Sequence, residues 1–484
     1  MSLLKIFFRD SAIYSIPSFV NKGLSIFLVP LYTRVLSPSD YGALDIIIAS
    51  SSLIHLTVAL EITQGIARYY PEQKNDRDKI TYASSAFWFT IVCYTVFLIG
   101  ALIFSKQLSF FVLRSQNMTL VFVLGVVYMW FSGLLNLVRN QFRWEMRSKH
   151  YTLSSVILGL TTAFFSFSLA YLLRLGLIGI LTGMISGTVV GLLYGIWHLR
   201  SSLRFRLSLI AIRSMLAFSV PLIPASIAVF ISLYIDRIMI NHFLTLNDVG
   251  IYGLGFRKAG IVNLLTTGFQ TSLTPLIYSN YEKRDTPEKI STIFRFFVCI
   301  SLLLFIFLSL FSSEILKFAS TSEFHAASQV VAFLAASILF SKMYVFAPGI
   351  SLSKKNHLIL LINIAGASLN ILLNWVLIPQ YGLMGAASAT LIGSAFVFLA
   401  YMFVGQRLYF IPHRWIILGL AILGSILTVL AGANIHSGFL LTIFIKSLLL
   451  VLSFAFFLRI KLISYMEIAK LVSNFKMDRA VSTR

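Results

Sequence analysis

KHYTLSSVILGLTTAFFSFSLAYLLRLGLIGILTGMISG, residues 149–187, returns 206 positions later as KNHLILLINIAGASLNILLNWVLIPQYGLMGAASATLIG, residues 355–393. Lys149, Gly176, Gly179 and Gly187 fall on Lys355, Gly382, Gly385 and Gly393. Upstream the copies drift by small insertions: Pro17 falls on Pro221 at offset 204, and LSPSDYG from Leu36 on LTLNDVG from Leu244 at offset 208. A repeat this long has to be read before any single element, because missing it misnames the fold. Two copies that each cross a bilayer an even number of times share one orientation, which is the parallel repeat of many secondary transporters.

Composition supplies the bilayer. Hydrophobic residues make up 58% of the 484 and charged residues 12%, a balance foreign to water-soluble globules. A hydrocarbon core needs about 20 apolar residues per helix, and nearly the whole chain divides into such stretches. Fourteen are expected, among them spans near 11–31, 250–275, 357–378 and 384–405. The fold class is therefore an all-α integral membrane protein built from two six-helix repeats. Residues 1–199 form the first lobe, 200–411 the second, 412–459 two extra helices and 460–484 a tail. Of the 39 Lys and Arg, 25 lie in the termini and the loops after even-numbered helices, and 6 in the loops after odd-numbered ones. Basic residues prefer the cytoplasmic side of short loops, so both termini are expected in the cytoplasm. The net charge of +22 is spread over these loops rather than gathered in one stripe, which argues against nucleic acid as a partner. The clusters Arg139, Arg143, Arg147, Lys149 and Arg200, Arg204, Arg206, Arg213 follow from topology, with contact to anionic headgroups as a by-product.

Ionisable groups inside the hydrocarbon core usually line a wet cavity or pair with one another. Lys22, beside Asn21, sits near the middle of the first span, too deep to reach either surface easily. It is the leading cavity residue, and the alternative is a structural pair with Asp45 or another acid. Arg257 and Lys258 are adjacent on the eighth span and point about 100° apart on a helix, so one faces the cavity. The sequence does not choose between them. Asp45 and Glu61 on the second span are candidates for ion coupling or for an ion pair. His55 reads as a hydrogen-bonded packing residue and Lys446 as packing or snorkelling. Asp236 and Arg237 close the seventh span and Arg34 the first, which makes them candidates for an outer gate or rim pair. Arg68, after Glu61, is a candidate for an inner gate or a surface pair. Asn363, Asn370 and Asn374 share one face of the eleventh span and either bind hydroxyl-rich cargo or bond helices together. Pro17, Pro30, Pro221, Pro224 and Pro275 fall within or beside the first, seventh and eighth helices, where they bend them. Cys93 and Cys299 stand alone in apolar spans, so neither a metal site nor a disulfide is expected. No Walker A loop, HExxH or GxSxG with a believable triad occurs, and catalysis is not expected.

The strings PLYTRVLSPSDYGALDI from Pro30, GIARYYPE from Gly65, PLIPASIAVFISLYIDRIMIN from Pro221, DVGIYGLGFRKA from Asp248 and LNWVLIPQYGLMGAASAT from Leu373 resemble the Wzx-type bacterial polysaccharide flippases. That polysaccharide transporter family shares a superfamily with MATE exporters and lipid II flippases. The resemblance implies two lobes in a V-shaped arrangement around a cationic cavity, and a polyprenyl-diphosphate-linked oligosaccharide as cargo. It also implies that Lys22 and Arg257 or Lys258 hold the diphosphate, that the last two helices guide the lipid tail, and that the protein lies in the bacterial inner membrane. Membrane lipids and other polysaccharide-assembly proteins are the expected partners. No cofactor is expected, and membrane potential, H+ or Na+ would drive transport. The first-span basic residue here is a lysine beside an asparagine, unlike the arginine and aspartate of lipid II flippases. A lipid II flippase, a cation-coupled MATE-type drug exporter and a membrane glycosyltransferase or polymerase are the rival readings. The basic sign of the cavity candidates favours anionic cargo.

Overall fold

The structure, a computed structural model, describes residues 28–464 apart from 434, 436 and 437. Asn21, Lys22, Pro17 and the tail beyond 464 lie outside the described residues. Every regular element among the described residues is helical. In chain order the main helices are α1 (Pro38–Thr57), α2 (Ile62–Tyr69), α3 (Asp76–Ile103), α4 (Thr119–Trp144), α5 (Ser148–Ser166), α6 (Gly176–Leu199) and α7 (Leu209–Phe243). They continue as α8 (Leu246–Ala259), α9 (Val262–Asn280), α10 (Thr286–Leu310), α11 (Ser322–Leu352), α12 (His357–Leu408), α13 (Trp415–Ala433) and α14 (Phe439–Arg459).

Ten of the described helices are long and apolar enough to cross a membrane, or eleven if the bent pair α1 and α2 is one span. The chain is thus a multi-pass membrane protein. The first expected span lies mostly outside the described residues. Three others look different in three dimensions, and of these the eighth is divided between α8 and α9. The eleventh and twelfth run together as α12, which has 52 residues. A straight helix of that length would extend about 78 Å, more than twice a hydrocarbon core.

Gly382 breaks α12 with φ 56° and ψ −132°. Its repeat mate Gly176 opens α6 with φ 55°, and nothing lies within 4 Å of the place a Cβ would take at either residue. Backbone handedness, not crowding, demands glycine there. The next aligned pair is governed by crowding. A Cβ on Gly179 would sit 2.7 Å from the Ala170 nitrogen, and one on Gly385 would meet the Leu377 carbonyl. In each copy, then, one glycine turns the chain and a second, three residues on, lets the new helix fold back against the end of the old one.

Other breaks follow the sequence in the same way. Where Pro221 and Pro224 stand, α7 tightens into a 3-10 turn at Val220–Leu222, a local irregularity of the kind that residues lacking a backbone donor cause. The break between α1 and α2 measures 48°. Leu60 and Glu61 there take left-handed φ of 51° and 53°, which costs a non-glycine residue about 1 to 2 kcal/mol.

By contacts the chain forms two compact units. One holds the residues up to Gly253 together with Ala319–Phe324, and therefore includes α7; the other holds Leu254–Phe318 and the chain from His325. The core of the first unit gathers Ile62 and Ile66 from α2, Ala83 and Phe87 from α3, Val138 and Phe142 from α4, and Met215 from α7. In the second, the Phe297 and Phe294 rings pack tilted against Phe346, with centroids 4.9 and 4.8 Å away. Lys446 does not snorkel: its Nζ donates to Glu314 Oε1 at 2.6 Å, both side chains being largely buried. This pair fastens α14 to the segment after α10. Outside that contact α13 and α14 expose large apolar side chains such as Ile416, Leu430, Leu440 and Phe444, as a helix facing lipid does.

These glycine roles are separable by substitution. Gly385→Val should abolish a monodisperse peak in detergent chromatography, because the Leu377 backbone cannot yield. Gly419→Ala, where a Cβ meets nothing within 4 Å, should elute and melt as the parent does.

Candidate functional site

The repeat motif LSPSDYG and its mate LTLNDVG build the same local structure. Ser37 caps α1 by accepting from the Asp40 backbone N–H at 3.2 Å, and Thr245 Oγ1 accepts from the Asp248 N–H at 3.3 Å at the start of α8. Each cap satisfies a donor that the first turn of a helix leaves open. The two motifs then meet each other. A Cβ on Gly42 would strike the Leu246 carbonyl, and one on Gly250 would strike the Pro38 carbonyl. Since Gly42 corresponds to Gly250 and Pro38 to Leu246, the crossing is self-complementary, as at a two-fold axis.

One turn deeper the same crossing buries charge. Arg237 Nε on α7 donates to Asp45 Oδ2 on α1 at 2.6 Å, with both side chains under a tenth exposed. A second bond runs from Arg237 Nη1 to the Leu233 carbonyl at 3.1 Å. The guanidinium lies 5.5 Å from the Tyr234 ring centre and 6.0 Å from that of Tyr252, within reach of cation–π attraction. Tyr252 in turn donates to Asp236 Oδ2 at 2.7 Å. Gly253 makes room for the pair, since a Cβ there would stand 2.7 Å from Asp45 Oδ2. Around it, Ser52 donates to Tyr234 Oη at 3.2 Å, Asn241 to the Val112 carbonyl at 2.9 Å, and Thr33 to the Ala319 carbonyl at 3.1 Å. The start of α1, the end of α7 and the start of α8 are locked by a buried, satisfied ion pair.

At the other ends of α2 and α4 the first unit is open and polar. A pocket of about 770 Å³ is lined by Thr63 and Gln64 of α2, Asn140 and Arg143 of α4, and Tyr151 of α5. A second of about 330 Å³ lies further along α4, lined by Ser132, Asn136 and Arg139 together with His55, Thr162 and Thr188. His55 Nε2 is 2.9 Å from Ser132 Oγ and 3.4 Å from Ser51 Oγ, the hydrogen-bonded packing role expected of it.

The remaining candidates scatter. Arg34 is exposed and stands apart from the lock, while Arg68 pairs with Glu72 at 3.0 Å on the surface, an arrangement of little energetic weight. Glu61 is 5% exposed at the α1 to α2 break. In the second unit Arg257 and Lys258 are half-buried neighbours on α8. Asn374 Nδ2 donates to Asn370 Oδ1 at 3.1 Å, both amides are buried, and Gly393 packs against Asn370. Sequence reasoning missed that Arg237 pairs with Asp45 rather than standing at a rim, and it missed the Arg139 pocket. The spacing of Ser132, Asn136, Asn140 and Arg143 by four, four and three residues was the signal for the latter, because it places them on one helical face. Among the described residues no cluster of three or more His, Cys, Asp or Glu could hold a metal.

The fold is shared with a solved lipid II flippase and a solved multidrug resistance MATE family transporter. The model of the polysaccharide biosynthesis protein family matches residues 7–280, more than half of the chain, and the MatE model matches residues 221–376. The chain belongs to the polysaccharide biosynthesis protein family. It is 28% identical over 218 residues to the probable low-salt glycan biosynthesis flippase Agl15 of Haloferax volcanii, covering 44% of this chain and 46% of that one. To the succinoglycan biosynthesis transport protein ExoT of Rhizobium meliloti it is 24% identical over 253 residues, 50% of this chain and 47% of that one. The chain thus spans about half the length of these curated relatives. Among solved structures, the lipid II flippase MurJ in an inward closed conformation superposes with a TM-score of 0.72 at 15% identity, over 93% of this chain and 99% of that one. At that identity the likeness is one of fold.

Removing one member of a buried ion pair strands the other, at a cost of about 3 to 5 kcal/mol, whereas replacing both by apolar residues is often neutral. Arg237→Met should therefore lower the melting temperature in scanning fluorimetry, and Arg237→Met combined with Asp45→Leu should recover most of the loss.

Proposed function

We propose that this protein carries a polyprenyl-diphosphate-linked oligosaccharide from the cytoplasmic to the outer leaflet of a bacterial inner membrane, for surface polysaccharide assembly. The observation that supports this most is the polarity of the first unit. The ends of α1 and α7 that the basic-residue pattern assigns to the outside are closed by the Asp45–Arg237 lock. The opposite end, assigned to the cytoplasm, holds open pockets lined by arginine and amides. Such a protein is poised to receive an anionic headgroup from inside. Alternating access then requires the lock to part, and a single ion pair flanked by glycines parts as a unit.

No nucleotide site is required. With the cytoplasm negative, outward movement of each net negative charge is favoured by about 2.3 kcal/mol per 100 mV. Coupling to H+ or Na+ would act at Glu61, a carboxylate buried at a backbone break, where a change of charge would bias the angle between α1 and α2. Amides and hydroxyls on α4 suit the glycan, while the exposed apolar faces of α13 and α14 suit the polyprenyl tail.

The test is reconstitution of the full chain in vesicles with a fluorescent polyprenyl-diphosphate-linked oligosaccharide. Wild type should move it, faster under a potential that is negative on the loading side. Glu61→Gln should slow it about tenfold or more, and Arg68→Ala, a solvated surface change, should leave it within about twofold. Movement of a cationic dye in place of the glycolipid would establish the drug-exporter reading instead.

A further inference from the structure

We infer that Arg143 and Arg139 form a two-step diphosphate site inside the first unit, running from the 770 Å³ pocket into the 330 Å³ pocket. The inference rests on the flippase reading above and assigns a route to its headgroup. It starts from two arginines without acids: no carboxylate among the described residues pairs with Arg139 or Arg143. Arg143 is exposed at the mouth of the larger pocket, and Arg139 lines the deeper one.

The two guanidinium groups share one aromatic support. Arg139 lies 5.1 Å and Arg143 5.9 Å from the centre of the Tyr151 ring, and Tyr151 lines the larger pocket. Arg139 Nη2 donates to Ser155 Oγ at 2.6 Å, but its Nε is buried without a hydrogen-bond partner. A guanidinium offers five donors in a planar fork suited to phosphate oxygens. One edge of this fork is held in place by serine and tyrosine, and the donor next to it is unused.

Alongside the arginines runs a ladder of amides. Arg143 Nη1 donates to Asn140 Oδ1 at 3.3 Å, and Asn140 Nδ2 donates to Asn136 Oδ1 at 3.3 Å. Asn140 faces the outer pocket and Asn136 the inner one. An anion leaving Arg143 therefore meets the Asn140 amide on the way to Arg139, and Asn136 beyond it. Arginines at the end of a helix also offset its dipole, but solvated side chains do that equally well, and compensation does not call for a half-buried Arg139 with an idle Nε. A diphosphate fits the pair better than a lone phosphodiester, because it carries enough oxygens for two forks at once.

The experiment measures binding of farnesyl diphosphate to the full chain in nanodiscs of zwitterionic lipid, with inorganic pyrophosphate or added phosphatidylglycerol as competitor. Arg139→Gln and Arg143→Gln should each weaken binding about tenfold, the loss of one charge-assisted bond. Arg139→Lys, which keeps the charge and loses the fork, should fall between Gln and wild type. Arg200→Gln, elsewhere on the same basic side, should bind as wild type. Pyrophosphate should displace the probe. Unchanged binding by the Arg139→Gln, Arg143→Gln double variant at normal abundance would overturn the site, as would displacement by phosphatidylglycerol alone. The vesicle assay separates this from the function: glycolipid movement without arginine-dependent binding sinks the site and spares the flippase, and the reverse result sinks the flippase and spares the site.

Discussion

Two glycines set the closest approach in the first unit, and the buried charge depends on it. Only because Gly42 and Gly250 lack side chains can α1 and α8 cross with backbone against backbone. At that spacing Asp45 and Arg237 meet at hydrogen-bond distance out of reach of solvent. Burying two charges is costly unless geometry and extra hydrogen bonds compensate. Here the Leu233 carbonyl and the faces of Tyr234 and Tyr252 supply what the carboxylate does not. A lock of this kind is either fully made or fully lost, because a buried charge left without its partner is costly.

The same economy of glycine shapes each repeat. Gly176 and Gly382 turn the chain, while Gly179 and Gly385 let it return on itself. Without a hydrophobic drive between helices in lipid, close packing has to supply association, and small residues at fixed offsets provide it. The pockets lie in the first unit, the larger between α2, α4 and α5 and the smaller between α1, α4, α5 and α6, with arginine and asparagine on one face of α4 lining both.

Much of this was legible in the residues. The repeat located the turning glycines, the composition indicated a membrane, and Pro221 and Pro224 marked the 3-10 turn in α7. Asp45 was picked out because a carboxylate in an apolar span needs a reason to be there. Its partner was not legible, since Arg237 lies 192 positions away and looked like the rim of a span. Asn370 and Asn374 shared a face as expected, yet whether that face met cargo or its own turn depended on packing, and they bond to each other. The count of helices was the least secure reading, because an apolar run does not say whether the chain stops, bends or continues, as α12 shows.

Sequence alone determined the class of the molecule: periodic apolar stretches, asymmetric basic loops and a doubled pattern of glycines are local or statistical properties, and each residue carries its own share of them. Tertiary structure alone decided which charges are paired and which stand open, Arg237 closed upon Asp45 and Arg139 with an unused donor beside a cavity. The physical reason is that the energy of a charge depends on what surrounds it within a few ångströms, and those neighbours come from segments far apart in the chain.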